Sequence, residues 1–488
     1  MNAERKSNRL NVLFIAVDDL RCELGCYGCH PVVSPNVDRL ASNAVLFDRA
    51  YCQSGVCNPS RASLMTGLRP DATQVWDLHT HFRQALPDVV ALPQQFARHG
   101  YRTTAIGKIY HNDLPDPPSW TEPQIYLDGF PYDPDAVYRD DDQLEFIERR
   151  KAEITAKGDQ RRPIDPFGHW YLKAGAYEMP DVPDNAYYDG AQTDAALAKL
   201  DELATGDKPF FFGVGYYRPH LPFNVPKRYW DLYDRHSIPM AENNYPPIDV
   251  PHMAMNNLRE LRGYRGFEGV LHPLQGKLND DDARILKHGY LASVSYVDAQ
   301  IGRLLAKLEA LGIAEDTIVV LWGDNGYKLG EHASWCKMTN FETDTRVPLI
   351  VKAPGLTGRR RQLVEFVDVY PTLCDLAGIP IPETLDGRSL VPIMGDPDRP
   401  GRGAAFSQFL RTGIWRDPDG RDYMGYTVRT DDFRYVEWVD WDTRSLAARE
   451  LYDHRTDDGE NVNLAGRPEF ADTVGQLAQT LRQVFRRS

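Results

Sequence analysis

Three short runs, residues 11–17, 209–215 and 317–322, are largely apolar, residues 101–106 also read as a strand, and polar or charged residues follow each of the four closely. Strands buried on both faces read this way, as in a parallel sheet covered by helices. Helical stretches lie between the runs: 34–43, opened by Ser34-Pro35, then 92–99, stopped by Gly100, then 189–203 and the long 280–311. In the last, Tyr290, Val294, Val297, Ile301, Leu304, Leu308 and Leu311 recur four and three apart, which predicts one face packed on a sheet. One more strand is expected at 347–352 and one more helix at 368–377. The pattern predicts an α/β fold with a large, mostly parallel central sheet flanked by helices.

From about residue 396 the pattern changes. Residues 424–428 and 433–439 read as an antiparallel pair around the turn 429–432, with a short strand at 451–453 and a closing helix at 468–486. The chain therefore divides into a catalytic α/β domain, 1–395, and a smaller α+β subdomain with an antiparallel sheet, 396–488. Residues 112–185 and 224–279 show little periodicity and read as irregular excursions over a cleft.

The net charge of −14 over 488 residues excludes a typical nucleic-acid partner. No apolar run is long enough to span a membrane, so no membrane partner is expected. Residues 1–9 are polar and resemble no signal segment, which predicts a cytoplasmic chain, or a periplasmic or secreted one where a signal was trimmed. Seven cysteines make no disulfide framework. Cys22, Cys26, Cys29 and His30 suggest a zinc knuckle, but no second pair has the spacing.

An open parallel sheet gathers the carboxyl ends of its strands on one edge, where ligands bind. The residues delivered there are Asp18-Asp19, Lys108 with His111, His220, and Asp324-Asn325. Asp18, Asp19, Asp324 and Asn325 offer only oxygen, which suits a hard cation, Ca²⁺ or Mg²⁺, rather than zinc. Arg61, Lys108 and Lys337 supply positive charge. Cys57 stands at or just before a helix that runs through Pro59 to Thr66, where the dipole favours a thiolate or an anion. His79 and His81, in the polar stretch 76–83, are candidates for lining a substrate cleft.

The run Cys57-Asn58-Pro59-Ser60-Arg61-Ala62-Ser63-Leu64-Met65-Thr66-Gly67 resembles the signature of the formylglycine-dependent sulfatases of the alkaline phosphatase superfamily. Gly107-Lys108-Ile109-Tyr110-His111, residues 215–223 and residues 329–337 look most like the iduronate-2-sulfatase branch. At 325 the chain carries asparagine, as arylsulfatases commonly do, where that branch has histidine. The resemblance implies hydrolysis of a sulfate ester, of a saccharide in that branch, with a phosphate or phosphonate monoester hydrolase as the alternative. It implies a Cys57 oxidised to formylglycine by a formylglycine-generating enzyme, and residue 57 among the ligands of the metal. It further implies that Arg61 and Lys108 hold the formylglycine hydrate, which attacks sulfur, and that His220 and Lys337 bind the sulfate and assist the leaving alcohol. His111 would take a proton from the second hydroxyl, so that the sulfated diol expels sulfate.

Overall fold

A computed structural model of the chain describes residues 9–112, 114–127, 134–157 and 171–485. Residues 1–8, parts of the 112–185 excursion and the last three residues of the chain lie outside the described residues.

Seven strands make the central sheet: β1 (Asn11–Val17), β2 (Val45–Tyr51), β3 (Arg102–Gly107), β4 (Phe210–Tyr216), β5 (Thr317–Gly323), β6 (Arg346–Lys352) and β7 (Gly358–Glu365). Across the sheet they run β7-β2-β6-β5-β1-β4-β3. β1 is parallel to both β4 and β5, β3 to β4 and β7 to β2, whereas β6 is antiparallel to β2 and β5. The main helices are α1 (Pro35–Ser42), α2 (Cys57–Thr66), α3 (Leu92–Arg98), α4 (Asp141–Ala156), α5 (Tyr188–Thr205), α6 (Asp280–Ala310), α7 (Val369–Leu376) and α8 (Ala471–Val484).

Both faces of the sheet are covered, which is why its strands lack polar alternation. Leu13, Ile15 and Val17 of β1 join a core with Leu200 of α5 and Tyr290, Val294 and Val297 of α6. Val12, Phe14 and Ala16 join a second core with Leu64 and Met65 of α2, Phe96 of α3 and Leu373 of α7. The α6 expectation needs correcting. From Ala283 to Leu305 residues on nearly every side of the helix are buried, because α1, α5 and part of the 224–279 excursion cover the flanks that the sheet does not. Ser34 does not cap α1. Its Oγ accepts from Gly25 N, and the first amides of the helix, Asn36 and Val37, donate to Asp298 of α6 instead.

Three of the long strands and one of the main helices fall where the sequence reading had none. β2 is broken by Asp48-Arg49, and β7 is an edge strand on which Arg359 and Arg361 are exposed, Arg359 reaching Asp48 at 2.6 Å, while Arg360 is buried and donates to Ile393 O at 2.6 Å. Edge strands carry charge without penalty, so their pattern does not look apolar. α4 lies within the 112–185 excursion. Asp140 caps it by accepting from Asp142 N, and Ile147 is its buried residue. The third strand, β8 (Ala404–Arg411), opens a four-stranded antiparallel sheet with β9 (Tyr423–Thr430), β10 (Phe433–Asp440) and β11 (Leu446–Asp453). α8 covers one face of it, Val474, Leu477 and Leu481 packing on Val428, Tyr435 and Leu451. Trp438 and Tyr452 on the other face pack against Met255 and Phe341. Among the described residues no helix is long and apolar enough to cross a membrane.

Candidate active site

Strand register brings the site together. Val17 pairs with Tyr216 on one side and Gly323 on the other, so Asp18 and Asp324 emerge next to each other. Gly107 pairs with Gly215, which adds Lys108 to the same edge. A Cβ on Gly107 (φ +73°) would fall 2.1 Å from Gly215 O, and one on Gly215 would fall 2.1 Å from Lys108 O. Glycine at both positions lets the chain turn there and point Lys108 inward.

Asp18, Asp19, Asp324, Asn325 and Arg61 are wholly buried. Asp324 Oδ1 accepts from the amides of Asp19 (3.0 Å) and Asn325 (2.9 Å), and Asn325 Nδ2 donates to Asp19 Oδ1 at 2.7 Å. Arg61 Nε donates to Asp324 Oδ2 at 2.7 Å, Lys108 Nζ to Asp18 Oδ2 at 2.6 Å and Lys337 Nζ to Asp19 Oδ2 at 2.6 Å. Asp19 holds a left-handed backbone (φ +58°), an uncommon conformation for a residue with a side chain and one that clusters at functional sites. Burial alone would raise all three carboxyls. Lys108, His220 and Arg61 overcome it at Asp18, which is held well below the ordinary range. At Asp19 burial outweighs Lys337 and His220, and Asp324 is pushed up to about 6. Two of the three carboxylates therefore lack enough positive charge.

α2 is buried along its whole length and starts at Cys57. Ser60 Oγ donates to the Asp324 carbonyl, and Arg61 also donates to Lys108 O and Ile109 O. Cys57 Sγ lies within 4.8 Å of carboxylate oxygens of Asp18, Asp19 and Asp324, and these four groups are themselves that close to one another. The expected thiolate is not favoured here. Burial first, and then the charge of Asp18, push the Cys57 thiol well above its usual range against the pull of Lys108. The residues fit a hard cation on one further observation. Asn325 Oδ1 is buried and has no hydrogen-bond partner among the described residues, while its amide nitrogen is already used. A buried acceptor left over beside underbalanced carboxylates suits an oxygen-liganded divalent ion.

Lys337 arrives on a tight loop in which Gly330, His332, Ala333, Cys336 and Met338 all have positive φ. Its carbonyl accepts from Asn256 Nδ2 at 2.9 Å. His220 follows β4, its Nδ1 facing Leu221 O at 2.6 Å and its Nε2 facing Glu260 Oε1 at 3.0 Å. Glu260 was not foreseen. It lies in the 224–279 excursion, and its Oε1 also accepts from Lys337 Nζ at 3.1 Å. No local pattern marks it; its neighbours Arg259 and Leu261 are ordinary for a polar turn. His111 is half-buried, and its ring is held well below the usual imidazole range, by burial first and then by Lys108, so it stands neutral. His79 is exposed, and its charge reaches His111. Asn58 of α2 ties the His79 loop down through Asp77 O and Thr80 O, both at 2.9 Å. His81 is not aimed at the cluster. Its Nδ1 accepts from Arg83 N at 3.0 Å, and its Nε2 faces Pro115 O at 3.1 Å.

The family model described as Sulfatase matches residues 10–379, around every one of these groups. The chain belongs to the sulfatase family. A second model, N-sulphoglucosamine sulphohydrolase, C-terminal, matches residues 330–487. Iduronate 2-sulfatase of Mus musculus is 33% identical over 91% of this chain and 87% of its own length. The Homo sapiens protein of the same name is 34% identical over 90% and 86%. Among solved structures, phosphonate monoester hydrolase from Silicibacter pomeroyi superposes with a TM-score of 0.72 at 25% identity, over 97% of this chain and 95% of that one. This sulfatase is thus a sulfuric ester hydrolase with the alkaline phosphatase-like architecture, and its buried acidic cluster includes the signature cysteine.

Proposed function

We propose that this sulfatase removes a sulfate ester from a sulfated saccharide, as the iduronate 2-sulfatases it resembles are named for doing, with residue 57 as formylglycine. The observation that carries the reading is Cys57 Sγ within 4.8 Å of carboxylate oxygens of Asp18, Asp19 and Asp324. A buried thiol of raised pKa is a poor nucleophile, so the position makes chemical sense as a precursor that a maturation enzyme oxidises. Asp18, Asp19, Asp324 and Asn325, with residue 57, would hold Ca²⁺ or Mg²⁺. That ion supplies charge for the developing negative oxygens.

The side chains then divide the work. Arg61, pinned by Asp324 and by two backbone carbonyls, keeps its guanidinium fixed under residue 57, and Lys108 adds a second positive charge. His111, being neutral, can accept a proton there. Lys337 and His220 would hold the sulfate oxygens; His220 Nδ1 faces Leu221 O and its Nε2 faces Glu260 Oε1. Donation from Nε2 would protonate the leaving alcohol. The antiparallel sheet, from about residue 396, would form the second unit and close the far wall of the cleft. Arg411 of β8 donates to Met338 O, next to Lys337, at 3.1 Å.

The test couples mass to turnover. With a formylglycine-generating enzyme present, the tryptic peptide carrying residue 57 should lose ~18 Da relative to its thiol form. The protein should then desulfate 2-O-sulfated uronates. Cys57→Ala should lower kcat by ~10³-fold or more with the fold intact. A converted protein inert on sulfated sugars would sink the substrate reading. A second reading, phosphonate monoester hydrolysis, is favoured by the 0.72 TM-score to such an enzyme. Matched aryl sulfate and aryl phosphonate esters separate the two by kcat/KM.

A further inference from the structure

Glu260 has no counterpart in the chemistry described above, and its surroundings are unusual. Its Oε1 bridges His220 Nε2 at 3.0 Å and Lys337 Nζ at 3.1 Å, the spacing a sulfate oxygen would take between the same two donors. Its Oε2 is buried with no hydrogen-bond partner among the described residues. The charged groups expected from the sequence hang from a sheet strand or its immediate continuation, from α2 or from the tight loop before β6. Glu260 sits instead on the four-residue turn Arg259–Arg262, entered through Leu258 with φ +52°. A second cation stands behind it. Lys173, packed 4.4 Å over the Tyr264 ring, also acts on its carboxylate.

An ester sulfate oxygen and Glu260 Oε1 cannot both take the single His220 Nε2 position, and although Lys337, bonded to Asp19 and Glu260, has a third N–H, the carboxylate anion beside it repels a second anion. We propose that Glu260 is a carboxylate that substrate displaces: it fills the sulfate cradle between His220 and Lys337 at rest, yields it to the ester, and then accepts a hydrogen bond from a sugar hydroxyl beside the ester. The unpartnered Oε2 is the acceptor that such a hydroxyl would satisfy. Displacement makes the enzyme select. A sulfate ester without a neighbouring hydroxyl drives Glu260 out and leaves it unpaired, whereas a sulfated sugar gives it a donor. The inference rests on the sulfatase reading of this site.

The experiment uses the full chain, wild type beside Glu260→Gln and Glu260→Ala, with thermal unfolding as the folding control. Binding of inorganic sulfate is measured calorimetrically, without turnover. Removing the competing anion should tighten it about tenfold in both variants. Next, kcat/KM is compared for an aryl sulfate and for a sulfated uronate with a free hydroxyl beside the ester. The sugar-to-aryl ratio should fall about tenfold or more in Glu260→Ala. Sulfate binding that is unchanged or weaker in Glu260→Gln would overturn the displacement, leaving Glu260 as an ion pair that positions Lys337. Tighter sulfate with an unchanged ratio would overturn the hydroxyl contact. If no sulfate ester is turned over at all, the reading of function fails, and the calorimetry still decides displacement.

Discussion

Two carboxylate clusters in this molecule look alike on composition and differ in what balances them. Asp18, Asp19 and Asp324, with Cys57, make one; Glu342 and Glu460, with His454, make the other, and in each the ligand-type atoms lie within 4.8 Å of one another. In the second cluster arginine fills the middle. Arg434 Nε donates to Glu460 Oε1 at 2.5 Å, its Nη2 donates to Glu342, and Arg429 Nε adds 3.2 Å to the same Glu342 oxygen. Tyr51 OH and Glu342 N take up two of the remaining oxygens, at 2.9 and 2.7 Å. Burial would raise both glutamates, but Arg434 together with His454, and with Arg429 at Glu342, outweighs it, and Glu460 is lowered to about 2. The first cluster is the reverse. Its amines come singly from other parts of the chain, Asp324 is pushed up to about 6, and Asn325 Oδ1 is left over. Buried charge by itself therefore does not mark a site; a shortfall of positive charge next to a spare acceptor does. The Glu342 cluster joins β2 and the segment before β6 to the antiparallel sheet, and its work is structural.

Chelation should separate the clusters most strongly. Dialysis against a chelator should abolish turnover, and Ca²⁺ should restore it. Denaturant titration should show stability falling by about 2.7 kcal/mol if the cation had been held near 100 times its Kd. Full turnover in the chelated protein would break the comparison at once.

Arg434→Met addresses the other cluster. Leaving the buried Glu460 and the half-buried Glu342 without their arginine should cost about 3 kcal/mol of stability, with kcat/KM of the folded enzyme retained. The acid limb sharpens this. The ordinary glutamate value is about 4.3, and the folded value of Glu460 is depressed. Its pairing therefore stabilises the fold above that pH and is lost as pH falls from about 4.3 towards about 2. Unfolding measured across that window should show a loss in wild type that Arg434→Met lacks. An equal acid limb in both proteins would remove the arginine from the explanation.

The smallest effect belongs to a residue outside both clusters. His81→Ala should cost about 1 kcal/mol, the worth of its bond from Arg83 N, and leave kcat/KM unchanged. A large fall in kcat/KM would return His81 to the substrate cleft.

Much of the site was legible because parallel strands place their ends together. Asp18-Asp19, Lys108, His220 and Asp324-Asn325 each follow a stretch that reads as a strand, and the Cys57 signature opens a helix, so local pattern was enough to bring them to one edge. Local pattern failed where a residue's environment comes from elsewhere in the chain. The Cys57 thiolate was expected from a helix N-terminus, yet burial and Asp18 govern the thiol. β2 and β7 were missed because charged residues interrupt them: Asp48 pairs with Arg359 at the sheet's rim, and the buried Arg360 is met by the carbonyls of Ile393 and Met394, partners that lie far off in the chain. Glu260 was missed because an irregular segment has no period to read. His79 and His81 looked equivalent, and only the fold shows that His81 has both ring nitrogens engaged.

The sequence by itself determined the parallel α/β sheet, the edge where charge collects, the oxygen-only donor set and the sulfatase signature. These depend on the order and chemistry of neighbouring residues, which a sequence states directly. Only the tertiary structure decided which carboxylates lack balancing charge, that Asn325 Oδ1 is left over, that arginine fills the second cluster, and that Glu260 lies between His220 and Lys337. Each of these depends on a distance between residues far apart in the chain, set by register and packing.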